Sequence, residues 1–140
     1  MLMSAKVQAV DFIPLNLSID FTEVLMQHME WRERLINHIK GAATDDWASR
    51  DATQYDRCDL GRWLRSEGHS QLGHLPAFRR LEIVHAEFHY YAGAILAKTL
   101  LKEVAQADEM LRNEFSQATR RMLVAVNELN ELAGKTHQPV

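Results

Sequence analysis

Apolar residues recur at three- and four-residue steps in three stretches of the chain. Phe21, Val24, Leu25, His28, Trp31, Leu35 and Ile39 form the first stripe. It opens on Asp20-Phe-Thr-Glu23, which has the form of a capping box, and closes at Gly41. Phe78, Leu81, His85, Phe88, Ala92, Ile95 and Thr99 form the second, which starts at Pro76, a residue suited to the first turn of a helix, and runs to about Val104. Leu111, Phe115, Ala118, Met122, Ala125, Leu129 and Leu132 alternate four- and three-residue steps, a heptad seam. No glycine or proline interrupts residues 94–133, yet a single rod of that length would leave its apolar face uncovered. The pattern therefore predicts a turn near Ala105–Asp108, with Asp108 as the N-cap of the last helix.

Between the first two stripes the signal is weaker. Residues 42–57 lack sustained periodicity and read as connection, with a helical turn near Trp47. Leu60, Trp63 and Leu64 share one face of a short helix from about Cys58 to Glu67, weakened by Gly61 and ended by Gly68. Ser66 to Leu75 reads as loop. The expected fold is all-α, an antiparallel four-helix bundle with three long helices and one short helix carrying the cysteine. The expected division is an N-terminal segment 1–19, a helical bundle 20–133 and a C-terminal tail 134–140, with no internal repeat and no second domain.

Composition agrees with this class. Glycine and proline total 9 of 140 residues, too few for the turns of a many-stranded β fold. A formal charge of −3 supplies no cationic field for a nucleic-acid backbone, so no nucleic-acid partner is expected. No apolar run approaches the ~18 residues of a membrane span. Gln8 and Asp11 interrupt the region where a signal peptide's apolar segment would lie, so a cytoplasmic location is expected.

The chain has one cysteine and seven histidines. Cys58, alone, forms no intrachain disulfide and is a buried thiol, a reactive thiol or a metal ligand. His85 and His89 stand four apart on the second stripe, so both imidazoles reach one ion. His28 lies inside the first stripe. In a bundle these three elements can meet, giving three nitrogens and one thiolate, the tetrahedral donor set zinc prefers. Singly, His28 and Cys58 read more readily as packed core residues and the His85–His89 spacing just as readily as chance, so the case rests on the combination.

The segments His28-Met29-Glu30-Trp31, Cys58-Asp59-Leu60-Gly61-Arg62-Trp63-Leu64 and His85-Ala86-Glu87-Phe88-His89 resemble the chemoreceptor zinc-binding (CZB) domain family, whose hallmark is Cys-x-Leu/Phe-Gly-x-Trp-Leu/Tyr. The resemblance covers about residues 20–133. It implies that His28, Cys58, His85 and His89 are zinc ligands of a cytoplasmic helical bundle that regulates a signalling output through zinc occupancy or cysteine oxidation. It also implies a bacterial setting and a homodimer acting with a chemoreceptor or diguanylate cyclase. Because no output domain is seen in this chain, that partner is expected in trans or as a lost fusion domain.

Neighbouring residues have two readings each. Trp31, Trp63 and Phe88 serve as an apolar wall for the site or as ordinary core; Glu82, one turn before His85, orients a ligand or is simply solvated. His38, His69, His74 and His137 are expected at the surface or in loops. Competing functions are an enzyme, a di-iron bundle and a helical interaction module, metal-free or with a purely structural zinc. Four protein donors leave no open coordination position, His85-Ala-Glu87-Phe-His89 is not HExxH, and one cysteine cannot supply the deaminase CxxC, so no enzymatic activity is expected. Glu82-Ile-Val-His85 is an ExxH without a second copy on another helix, which disfavours the di-iron site.

Overall fold

The computed structural model describes residues 19–136, and among them every regular element is helical. The long helices are α1 (Phe21–Lys40), α5 (Pro76–Leu100) and a third rod built from α6 (Val104–Met110), a π turn (Leu111–Phe115) and α7 (Ser116–Thr136). Three short helices join α1 to α5: α2 (Ser49–Ala52), α3 (Asp59–Leu64) and α4 (Glu67–Leu72). None of the described helices is long and apolar enough to cross a membrane. The expected segment 1–19, apart from Ile19, lies outside the described residues, as do the last four residues of the expected tail 134–140, His137 among them.

Asp20 caps α1 as its spacing predicts, its carboxylate accepting from the Thr22 and Glu23 N–H groups. Glu23 pairs forward with Gln27 rather than closing the box. At the far end Gly41 takes φ 75°, and the N–H groups of Gly41 and Ala42 donate to the His38 and Asn37 carbonyls, a Schellman ending. His38, expected at the surface, is mostly covered and pairs with Asp45, as Arg34 does. His38 first, then Arg34, hold the Asp45 carboxyl down to about 2.

Contacts fix the directions of the legs. Trp47 packs on Trp31 under the Arg34 guanidinium, Cys58 faces His28, and Trp63 meets Phe21 edge-on, so the short-helix segment runs back along α1. Arg80 pairs with Glu128, Arg121 with Glu87 and Lys98 with Gln106, so α5 runs opposite to the third rod. Phe78, Phe88, Leu35, Leu81, Ile95, Phe115, Met122 and Leu129 are fully buried between the legs.

Three expectations are corrected. The stretch read as loop, Ser66 to Leu75, contains α4, and Gly68 lies inside that helix with its backbone against the Trp63 ring rather than ending a pattern. The short leg accordingly has three helices instead of one. The turn before the last helix is at Leu101–Glu103, not Ala105–Asp108, and Asp108 is an interior helical residue paired with Arg112.

That turn is again a Schellman ending, Lys102 N–H to Thr99 and Glu103 N–H to Lys98, but its left-handed residue is Lys102 at φ 65°. Glycine normally announces such a turn; a lysine there hides it. The π turn has a similar origin. Ala107, Leu111 and Phe115 are all buried at two successive four-residue steps, which in an α-helix would carry Phe115 about 80° off the line of Ala107. One wider turn removes the drift, and the Ser116 hydroxyl donates to the Leu111 carbonyl at 2.9 Å.

Left-handed backbone costs a non-glycine residue about 1–2 kcal/mol. Part of that is offset by the greater freedom glycine has when unfolded. Lys102→Gly should therefore stabilise the protein by about 0.5–1 kcal/mol, a rise in melting temperature of roughly 2–5 °C. A thermal melt of the variant that is unchanged or lower would contradict this reading of the turn.

Candidate metal centre

His28, Cys58, His85 and His89, drawn from α1, the start of α3 and α5, come together at one point. Each offers one ligand atom, and the four atoms all lie within 4.8 Å of one another. Cys58 Sγ is 3.3 Å from His85 Nε2, 3.6 Å from His89 Nε2 and 3.8 Å from His28 Nε2; the two α5 nitrogens are 3.0 Å apart. A tetrahedral zinc with ordinary bond lengths spaces its nitrogens about 3.3 Å apart and puts sulfur about 3.6 Å from nitrogen. The donor set fits that ion in both chemistry and spacing.

Local backbone chemistry turns the right atoms inward. His28 Nδ1 is 2.8 Å from the Val24 carbonyl and His89 Nδ1 is 2.8 Å from the Ala52 carbonyl. A carbonyl only accepts, so both Nδ1 atoms carry the proton and both Nε2 lone pairs face the cluster. The Ala52 contact was not legible in the sequence. It depends on Gly93, because a Cβ there would stand 2.2 Å from Thr53 Cγ2 and push α2 off α5. Ser49 fastens the same contact, its hydroxyl donating to the Gly93 carbonyl at 2.7 Å.

Cys58 is the N-cap of α3, and the Gly61 N–H donates to its sulfur at 3.3 Å. The sequence reading of Gly61 as a weak point is replaced by a close approach: a Cβ there would lie 1.8 Å from the Tyr55 carbonyl oxygen. The turn before α3 folds back so tightly that only glycine fits.

The walls are aromatic. Trp31 stacks on His28 and meets His89 edge-on at 4.7 Å, while Phe88 packs against both imidazoles. Trp63 instead packs between Phe21 and Phe78, one layer away. Tyr55, which sequence reasoning passed over, stands edge-on to His85. Glu82 pairs with Arg79, and Glu87 pairs with Arg121 on the outside of α5. Of the remaining histidines, His69 lies over the Phe78 ring and His74 is exposed between α4 and α5.

The three imidazoles are 1–3% exposed. Burial pulls His28 below its ordinary value and His89 down to about 4, and burial with two neighbouring imidazoles takes His85 well below. All three are thus neutral near pH 7, the ligating form. Burial pushes the Cys58 thiol up, against the pull of the Gly61 and Leu60 N–H groups. Because the folded histidines titrate below 6.5, the metal-free unfolded chain binds more protons as pH falls through that value. Stability of the metal-free protein is full above about pH 6.5 and should fall steadily toward pH 4, read as the urea midpoint in the presence of chelator; a midpoint flat across that range would contradict it.

No curated protein and no solved structure matches the chain. A family model does: that of the chemoreceptor zinc-binding domain matches residues 28–96, a span that begins at the first of the four clustered donors and contains the other three. Residues 28–96 are thus a chemoreceptor zinc-binding (CZB) domain, and the four donors they contain make this a zinc-binding protein.

Proposed function

We propose that His28, Cys58, His85 and His89 hold one zinc ion through three Nε2 atoms and one sulfur, and that residues 20–133 form the domain built around it, flanked by the segment 1–19 and the tail 134–140. The observation that carries this is the inward-facing set itself: four ligand atoms within 4.8 Å, two of them with tautomers set by backbone carbonyls. Bound zinc supplies the positive charge that keeps Cys58 a thiolate. Four protein donors fill a tetrahedron and leave no position for a reacting water, which favours a regulatory site over a catalytic one.

The regulated state is the docking of α3. The three histidines stand on the long helices α1 and α5, whereas Cys58 caps a six-residue helix with turns on both sides. Its sulfur belongs to a half-buried residue, and a cleft of about 40 Å³ lined by Tyr55, Gly61, Leu64, Arg65, Glu82 and His85 opens beside the cluster. The partial exposure of Cys58 itself is what gives a small oxidant access. Hypochlorous acid transfers its oxygen to the thiolate, giving the sulfenic acid and chloride. A sulfenic acid is a poor ligand, so oxidation and zinc loss lead to the same undocked α3, a population shift that a partner reads.

The family description points to a signalling role, and we place the domain in the cytoplasm as a homodimer that controls a chemoreceptor or a diguanylate cyclase, fused or in trans.

Elemental analysis of freshly purified protein should find one zinc per chain, and His85→Ala or His89→Ala should reduce it to a small fraction of that. Full retention of zinc in both variants would sink the ligand assignment. Hydrogen exchange tests the moving part separately. Protection should fall mainly in residues 52–70 on chelation or mild hypochlorite treatment. An even loss across all helices would make the zinc a structural staple instead.

A further inference from the structure

Outside the metal centre, an apolar groove of about 430 Å³ lies between α5 and α7, floored by Ile83, Val84, Val124 and Ala125. Val124 is 66% exposed and Ile83 53% exposed. Isolated exposed apolar side chains are ordinary. What distinguishes this pair is the arrangement of charge around it.

Along the exposed face of α7, polar residues are disposed about Val124 in opposite senses. Arg120 lies four residues before it and Glu128 four after; Gln117 lies seven before and Glu131 seven after; Arg121 lies three before and Asn127 three after. A helix with this pattern complements itself when a second copy is laid antiparallel across it with the two Val124 side chains at the crossing point. Every basic position then meets an acidic or amide position, and no like charges face each other. In a parallel arrangement arginine would meet arginine and glutamate would meet glutamate.

Arg120 forms no ion pair among the described residues, while Arg80 holds Glu128 at the groove rim. Arg80 holds both Glu128 oxygens, so the carboxylate is fixed in place, and its side chain stays partly exposed beside the groove. Self-complementarity about a single point is what a twofold-symmetric interface requires.

We infer that this face is the homodimer interface: α7 of one copy packs antiparallel on α7 of a second copy about Val124, with Ile83 and Val84 beside the contact and Arg120 paired to Glu128 of the partner subunit at both ends. The inference rests on the homodimer reading given above and specifies its surface and register. It places the second copy on the outer side of α5, the helix that carries His85 and His89 inward and Glu87, paired with Arg121, outward.

The test uses the full, zinc-loaded chain in sedimentation equilibrium, with two variants at the exposed Val124 that leave the core untouched. Wild type should be a dimer at micromolar concentration. Val124→Arg, which sets two cations at the crossing point, should raise the dimer dissociation constant at least tenfold. Val124→Cys should form a covalent dimer under mild oxidation, which wild type, with only Cys58, should not. A Val124→Arg protein as dimeric as wild type, or a Val124→Cys protein that does not cross-link, would overturn this surface while leaving the homodimer reading standing. A wild-type monomer at every concentration would overturn both.

Discussion

Three imidazoles buried in an aromatic box are the constraint around which the rest of this domain is arranged. A buried polar group without a partner costs on the order of 1–3 kcal/mol, and here three stand side by side with a thiol. The structure meets that cost on the outer nitrogens of two rings by bonding them to backbone: His28 to its own helix at Val24, His89 to the last residue of α2 at Ala52. The inner nitrogens of these two rings are then left with lone pairs that face the cluster. The lone pairs of His28 and His89 therefore face His85 Nε2 and the Cys58 sulfur at one point, so the same geometry that satisfies the periphery gathers donors that a cation at the centre would bind.

Gathering those donors dictates the odd shape of the connection between α1 and α5. A single straight helix running back along α1 could not present both a carbonyl to His89 and a sulfur to the other side of the cluster. The leg is broken into α2, α3 and α4, and two of its breaks are held by close approaches that only glycine permits, at Gly61 against the Tyr55 carbonyl and at Gly93 against Thr53. Ser49 adds a polar fastener to Gly93. The short leg is therefore shaped less by its own helix propensity than by where its carbonyl and its sulfur must end.

The third rod closes the box from behind. Phe88, between the two ligand positions of α5, packs against His28 and His89 on one side and against Phe115 on the other, ring centroids 4.9 Å apart. Phe115 ends the π turn, so the irregular turn of the longest rod lies directly behind the metal centre. Its wider turn keeps Leu111 and Phe115 on the inner face while α7 proceeds in heptad register below it. The outer faces of α5 and α7 meanwhile carry the ion pairs Arg80–Glu128 and Arg121–Glu87 that hold the two legs side by side.

The sequence by itself determined the long helices, because each buries a continuous stripe and periodicity records burial: Asp20 and Gly41 bound α1, Pro76 starts α5, and the seam from Leu111 to Leu129 is inside. It also determined the four residues that cluster, since His28, Cys58 and the His85–His89 pair are donor types at spacings that packing brings together, and the segments around them carry the family's motif. What it left to the tertiary structure were the features whose cause lies in a distant contact. Helix α4 is held by packing on Trp63 rather than by a stripe of its own, so it read as loop. The turn after α5 is hidden because a lysine adopts the backbone normally marked by glycine, and the π turn shows only once Ala107 is recognised as part of the buried line. Ala52 and Gly93 serve His89 through a backbone carbonyl and a missing side chain. Neither leaves a chemical signature in a sequence, because a carbonyl is present at every residue and only the fold decides which one faces the site.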